Sequence, residues 1–195
     1  MAQQANHALP AGLQLEEYTI TRQLSLGGFS IVYLATDGEG SRVAIKEYLP
    51  NSLALRGEGE IKPLITADHQ GAFRYGMKCF FEEGRALARL SHPNVIRVLN
   101  FFRANDTVYM VMEYERGRTL QEFIQTHRGE VTERFIRGVF TRLLNGLREV
   151  HSHKLLHLDL KPSNVYLRSD NTPVLIDFGA ARQTLSTDQP MLKPM

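Results

Sequence analysis

Glu83 and Lys46 are charged residues in places where a folded chain ordinarily puts apolar ones. Glu83 comes three residues after Phe80 and four before Leu87, on the apolar stripe of a segment with helical periodicity. Burying an unpaired carboxylate costs several kcal/mol, so a cation should reach it. Lys46 is a candidate. In Val43-Ala44-Ile45-Lys46, strand alternation sets Val43 and Ile45 on one face and Ala44 with Lys46 on the other. A small residue beside a lysine leaves room for a flat ligand and supplies an ammonium for its phosphates. The competing reading is of surface charges that never meet. Upstream, Ser25-Leu26-Gly27-Gly28-Phe29-Ser30 joins strand-like runs, and its backbone N–H groups can face a phosphate where small side chains permit close approach. An ordinary hairpin turn accounts for the same residues, and the sequence has no P-loop NTPase motif.

Further along stand His157-Leu158-Asp159-Leu160-Lys161-Pro162-Ser163-Asn164 and then Ile176-Asp177-Phe178-Gly179, with Asp177 thirteen residues after Asn164. In this order, downstream of the Gly-rich turn and of Val43 to Lys46, these runs resemble the catalytic loop and metal-binding motif of eukaryotic-type serine/threonine protein kinases. The segment Met110 to Tyr114 looks like the stretch leading into that family's adenine-binding hinge. The resemblance covers about Tyr18 to Arg182. It implies ATP and Mg²⁺ as ligands, and transfer of the γ-phosphoryl to a serine or threonine hydroxyl of a protein substrate. Such transfer is mostly positioning and charge neutralisation, so it needs metal ligands, a lysine on the phosphates and a carboxylate beside the attacking hydroxyl.

Carried over from the resemblance, Lys46 holds the α and β phosphates and pairs with Glu83. Asp159 accepts or orients the acceptor proton, Lys161 neutralises the γ-phosphate, and Asn164 and Asp177 bind Mg²⁺ through oxygen. Ser25, Leu26, Gly27, Gly28, Phe29 and Ser30 surround the nucleotide together with Val32, Ala44, Met112, Glu113, Tyr114 and Tyr166. His157 and Phe178 pack beneath the site. A lysine two residues after the base, Lys161 after Asp159, is the serine/threonine rather than the tyrosine kinase pattern. Small-molecule phosphotransferases of related fold usually lack the lysine-proline-x-asparagine run.

The elements that must position these residues follow from periodicity. From Tyr18 to Glu47 the chain reads as a strand meander broken at Gly27-Gly28 and Asp37-Gly38-Glu39-Gly40. Pro50 to Ala72 reads as a polar insertion with a small hairpin around Arg56-Gly57-Glu58-Gly59, and nothing in it suggests chemistry. Met77, Phe80, Leu87 and Leu90 predict an amphipathic helix over about Tyr75 to Leu90. Strands are expected at Val95 to Phe102 and Val108 to Tyr114, across a turn at Ala104-Asn105-Asp106. Thr119 and Glu122 form a capping box, and Ile136, Val139, Leu143, Leu147 and Val150 mark a long buried helix over Thr132 to His151. The expected class is α+β, a protein kinase-like two-lobed fold. It has a flexible amino terminus over 1–15 and a β-rich small lobe with one main helix over 16–114, including an insertion at about 50–72. A partial, mostly helical large lobe over 115–195 ends in the activation segment.

Departures from the family bear on activity. Serines stand at 25 and 30 where glycine is usual, and a backbone requirement for φ > 0 would cost each about 1 kcal/mol. Leu158 replaces the arginine that in many members receives an activation-loop phosphate, so Thr184, Ser186 and Thr187 carry less regulatory weight. Glu83 follows Lys46 by 37 residues, a long interval that the insertion accounts for. The sequence stops at Met195, sixteen residues after Gly179, short of an A-P-E segment. The expectation is a fragment of a kinase or, alternatively, a catalytically weak nucleotide-binding or docking module.

Composition sets the remaining bounds. With 195 residues, 43% of them hydrophobic, the chain can bury a core. Lys and Arg number 23 against 21 Asp and Glu, and a net +2 gives no field that implies nucleic acid or an anionic membrane. Cys79, the single cysteine, reads as a small buried hydrophobe. No apolar run approaches the roughly 20 residues that span a bilayer. These features together read as a cytoplasmic protein.

Overall fold

A computed structural model describes residues 6–178 and 182–183. They divide into two units: the chain up to Ser91 with Ile96–Arg116, and His92–Val95 with the chain from Gly117 onward. Thr184, Ser186 and Thr187 lie outside the described residues.

The first unit is a six-stranded antiparallel sheet. Its strands are β1 (Gln14–Leu15), β2 (Tyr18–Leu26), β3 (Ser30–Thr36), β4 (Arg42–Tyr48), β5 (Val98–Ala104) and β6 (Thr107–Glu113), in the order β1-β2-β3-β4-β6-β5. The β5–β6 turn is tight because Asn105 and Asp106 take φ of 52° and 61°, the left-handed pair of a type I′ turn. Register then assigns the faces. Lys46 pairs with Val32 and Met110, and Ala44 with Leu34 and Met112, so these side chains share one face. Tyr33, Ile45, Glu47, Tyr109 and Val111 share the other face, and all are fully buried.

Helix α1 (Gln70–Leu87) packs on the Lys46 face. Phe80 lies 5.8 Å from Tyr48 between ring centroids, and Phe81 meets Phe101 edge-on at 4.7 Å. Two glycines allow the close approach. A Cβ at Gly76 would overlap the Tyr48 hydroxyl, and one at Gly84 would sit 3.4 Å from Met110 Cε. The helix starts at Gln70, before the expected Tyr75; Gly71 and Gly76 break the apolar pattern over its first turns, so the sequence did not mark them. Cys79 is exposed on α1, contrary to the buried position expected of it.

The opposite face is covered by segments for which the sequence reading had no role. Residues 6–15 are not frayed: Asn6, Leu9 and Leu15 are buried, and Leu9 and Leu15 join the core of Ile20, Ile31, Ile45 and Val111. The expected insertion folds down beside them, closed by an antiparallel bridge between Leu55 and Leu64. At its centre Arg56, fully buried, makes a bidentate pair with Glu47 at 2.6 and 2.7 Å.

The second unit contains β7 (Gly117–Thr119), α2 (Leu120–Thr126), α3 (Glu133–Ser152), β8 (Leu155–Leu156), β9 (Val165–Arg168), β10 (Pro173–Leu175) and β11 (Arg182–Gln183). Thr119 and Glu122 close the capping box, with Thr119 N–H to Glu122 Oε2 at 2.7 Å and Glu122 N–H to Thr119 Oγ1 at 3.1 Å. Strands β10, β9 and β7 form one antiparallel sheet, and β8 pairs with β11. Gly117 is required where it stands, because a Cβ there would overlap the Leu167 carbonyl. In α3, Val139, Leu143 and Val150 are buried, but Ile136 is 43% exposed and forms with Phe140 and Leu144 an outward stripe, unlike the buried position expected for it. No helix among the described residues is long and apolar enough to cross a membrane.

Candidate active site

In the first unit the sheet register gathers the expected nucleotide residues. Ser25, Val32, Lys46 and Met110 form one cross-strand row, and Leu34, Ala44 and Met112 form the next. Val32, Ala44 and Met112 are half-buried, and Lys46 is buried. The Lys46 ammonium lies 5.8 Å from the Phe80 ring centroid. Phe80 precedes Glu83 by three residues, which places Lys46 at the surface of α1 that carries Glu83. Glu113 falls on the opposite face, and its carboxylate is 3.6 Å from Arg97. Its side chain is therefore not among those gathered. Tyr114 follows β6 and is half-buried.

The Gly-rich turn differs from expectation in its backbone. Ser25 ends within β2 and Ser30 opens β3, and neither they nor Gly27 and Gly28 adopt positive φ. The expected strain at the serines is therefore absent. Gly27 N–H is used within the turn, donating to Ser30 O at 2.9 Å, while Leu49 and Asn51 N–H groups bind the Phe29 and Gly28 carbonyls at 3.0 Å. Gly28 and Phe29 N–H groups donate to no other described residue, which leaves them for an anion. Phe29 is 75% exposed at the tip, and Leu26 is also exposed.

In the second unit the chemistry centres on Asp159. The Lys161 ammonium sits 2.8 Å from Asp159 Oδ2, and Asn164 Nδ2 donates to both Asp159 Oδ2 and its backbone carbonyl, each at 2.9 Å. These groups stabilise the anion, and the Lys161 hydrogen bond is the main cause that holds the carboxyl below the ordinary carboxylate range. Asn164 is buried, and with its amide N–H groups spent on Asp159 its Oδ1 remains for a cation. Among the described residues no cluster of three or more His, Cys, Asp or Glu could hold a metal alone. An asparagine oxygen with the Asp177 carboxylate suits Mg²⁺, which takes few protein oxygens and completes its octahedron with water and phosphate.

His157 anchors the loop from below. It is 3% exposed, its ring centroid is 4.5 Å from that of Phe178, and its Nε2 is 3.3 Å from the Ile176 carbonyl. A carbonyl only accepts, so Nε2 carries the proton and Nδ1 accepts from the Asp159 N–H at 3.4 Å. Burial pushes the His157 pKa down, so the folded state holds it neutral. Its unfolded form gains a proton below about pH 6.5, so stability is lost as pH falls through that value towards the depressed folded pKa. Urea midpoints at about pH 7.5 and 5.5 should therefore fall more for the wild type than for His157→Gln, which keeps a donor but does not titrate. Equal falls would show that His157 does not set the acid limb.

The backbone of this loop gave no sequence signal. Leu158 and Asp177 take φ of 59° and 57°, the left-handed region that costs a non-glycine residue about 1–2 kcal/mol. Leu158 is 60% exposed, and its reversed backbone lets His157 turn inward while Asp159 turns out. Tyr166 is half-buried in β9, opposite Thr119 and Val174.

The family model described as protein kinase domain matches residues 18–193. Serine/threonine-protein kinase SSN3 of Coccidioides immitis is 34% identical over 86% of this chain and 34% of its own length. Serine/threonine-protein kinase B of Synechocystis is 34% identical over 84% of this chain and 27% of its length. A probable serine/threonine-protein kinase, PknB of Lactococcus lactis, is 31% identical over 88% and 25%. The chain thus spans about a third or less of these curated relatives. A solved structure described as the PpkA-294 apo form superposes with a TM-score of 0.82 at 34% identity, covering 88% of this chain and 62% of that one. With the Asp159–Asn164 loop, the Lys46 strand and a match over nearly the whole sequence in agreement, the chain belongs to the protein kinase domain family.

Proposed function

We propose that the protein is an ATP- and Mg²⁺-dependent serine/threonine protein kinase that phosphorylates a protein hydroxyl in a cytoplasmic signalling setting. The observation that carries this reading is the Asp159 carboxylate held between Lys161 and Asn164. The acceptor hydroxyl attacks the γ-phosphorus, the bond to the bridging oxygen of ADP breaks, and the hydroxyl proton passes to Asp159. With Lys161 in place Asp159 is a weak base, so its first task is to orient the hydroxyl. As Lys161 turns to neutralise the γ-phosphate, the loss of its hydrogen bond raises the Asp159 pKa and makes the proton easier to accept. When bound, Mg²⁺ neutralises charge developing on the phosphate oxygens. Asn164 Oδ1 and Asp177 would hold that ion, and Lys46 would hold the α and β phosphates. Relatives named as serine/threonine kinases support a hydroxyl acceptor.

Lys46→Met tests the reading. Its side chain is of similar length but carries no charge, so the fold should persist, while ATP-dependent transfer to a generic protein acceptor falls by about 10²- to 10³-fold. Unchanged turnover would remove Lys46 from the phosphate site.

A further inference from the structure

We propose that Glu47 is a positioning residue for Lys46, through a buried network that fixes its carboxylate and with it the strand beside the lysine. The inference rests on the reading of Lys46 as the residue that holds the nucleotide phosphates. Glu47 follows Lys46 in β4, and its side chain leaves the opposite face of the sheet, where it is fully buried. Each carboxylate oxygen accepts two hydrogen bonds. Oε1 takes Arg56 Nη1 at 2.6 Å and the Tyr109 hydroxyl at 3.0 Å, while Oε2 takes Arg56 Nη2 and the Tyr33 hydroxyl, each at 2.7 Å. Those donors come from β3, β6 and the segment after β4, so the carboxylate is held from both flanking strands and from beyond the sheet. With its lone pairs filled in this way it has one orientation.

Stability alone does not call for such a network. Ile45 and Val111 lie on the same buried face, and an apolar pair of similar volume commonly serves a core as well as a buried ion pair does. Directional bonds add what apolar contacts lack, a position fixed to a fraction of an ångström. Consecutive Cα atoms are about 3.8 Å apart across a trans peptide, so a shift of Glu47 is carried to Lys46 nearly undiminished. The clamp also extends outward. Arg56 donates from Nε to the His7 carbonyl at 2.9 Å and from its backbone N–H to Asn6 Oδ1 at 2.6 Å, and the Tyr33 hydroxyl accepts from the Leu9 N–H at 3.2 Å. Segments that read in the sequence as a flexible terminus and a featureless insertion are thereby tied to the strand that carries Lys46. Tyr48, on the Lys46 face, meets Phe73 and Phe80 of α1 at 5.2 and 5.8 Å between centroids, so the same stretch of β4 also seats the helix that carries Glu83.

The test compares the wild type with the double variant Glu47→Leu, Arg56→Met, in which no charge is stranded. Its urea midpoint should lie close to that of the wild type, while the KM for ATP and the Kd for Mg-ATP rise about tenfold or more and the KM for the protein acceptor is unchanged. A variant that was merely less folded would lose kcat and keep both KM values. Hydrogen exchange of the β4 amides without nucleotide should quicken in the double variant, a readout independent of what Lys46 binds. Tyr109→Phe removes one hydrogen bond to Glu47 at almost constant volume; if the double variant unfolds, a rise of about threefold in the KM for ATP in Tyr109→Phe carries the test. An unchanged KM for ATP with unchanged β4 exchange in these variants would overturn the proposal. Lys46→Met, run alongside, separates the two readings. If it too leaves the KM for ATP unchanged, the phosphate role of Lys46 falls and this proposal with it; if it raises that KM while the folded double variant does not, the positioning role alone is overturned.

Discussion

Asp159→Asn should leave Mg-ATP binding intact and slow phosphoryl transfer by about 10³- to 10⁴-fold, whereas Asp177→Asn should lose Mg²⁺-dependent nucleotide binding. At position 159 the amide oxygen can still accept from Asn164 Nδ2 at 2.9 Å, so that loop contact can be kept while the proton acceptor, and with it the charge paired to Lys161, is removed. Asparagine is the better probe at 177 as well. Asp177 sits at φ 57°, and asparagine tolerates that region where alanine would add backbone strain to the loss of charge. Thermal shift with Mg-ATP and radiolabel transfer, run on both variants, separate the roles. Ligand at a hundredfold its dissociation constant stabilises the native state by about 2.7 kcal/mol, a readable shift in Tm. If both variants lose nucleotide binding alike, or Asp159→Asn keeps its transfer rate, the division between base and metal ligand is wrong.

Much of that centre was legible because its chemistry is local in sequence. Asp159, Lys161 and Asn164 fall within six residues, and a short-range loop brings them together whatever the rest of the chain does. Val43 to Lys46 was legible for a related reason, since strand alternation fixes which neighbours share a face before any partner strand is known. The φ of Leu158 and of Asp177 left no trace, because neither residue type favours the left-handed region enough to announce it. The serines misled in the opposite direction. Ser25 and Ser30 stood where a φ > 0 would have cost stability, and neither takes that conformation. The largest omission was long-range. Arg56 and Glu47 each look like a surface charge in their own windows, and only the folded sheet, with residues 6–9 laid across it, makes them a buried pair.

Arg56→Met should therefore destabilise the protein by about 3–5 kcal/mol, the usual result of leaving one member of a buried ion pair alone. Both side chains are fully buried. Glu47 receives the Arg56 guanidinium on both oxygens, and the Tyr33 and Tyr109 hydroxyls donate to it at 2.7 and 3.0 Å. Burial first, and then the Glu47 charge, push both tyrosine pKa values well up, so these hydroxyls stay protonated donors at any working pH. Arg56 is satisfied in turn. Its Nε donates to the His7 carbonyl at 2.9 Å, and its backbone N–H donates to Asn6 Oδ1 at 2.6 Å. Methionine fills similar volume but leaves the carboxylate with only the tyrosines, in a region of low dielectric that magnifies the deficit. Against a total stability of about 5–15 kcal/mol, that loss should bring the urea midpoint down steeply. Adding Glu47→Leu to Arg56→Met removes the stranded charge and should recover most of the loss, since an apolar pair of suitable shape replaces a buried ion pair at little net cost. Lys62→Ala provides the contrast. Its pair with Asp106 comes from the same stretch of chain, but both side chains are more than 60% exposed, and its loss should cost no more than about 1 kcal/mol. An Arg56→Met midpoint no lower than that of Lys62→Ala would mean that Glu47 finds other partners and that the segment over 50–65 is dispensable to the sheet.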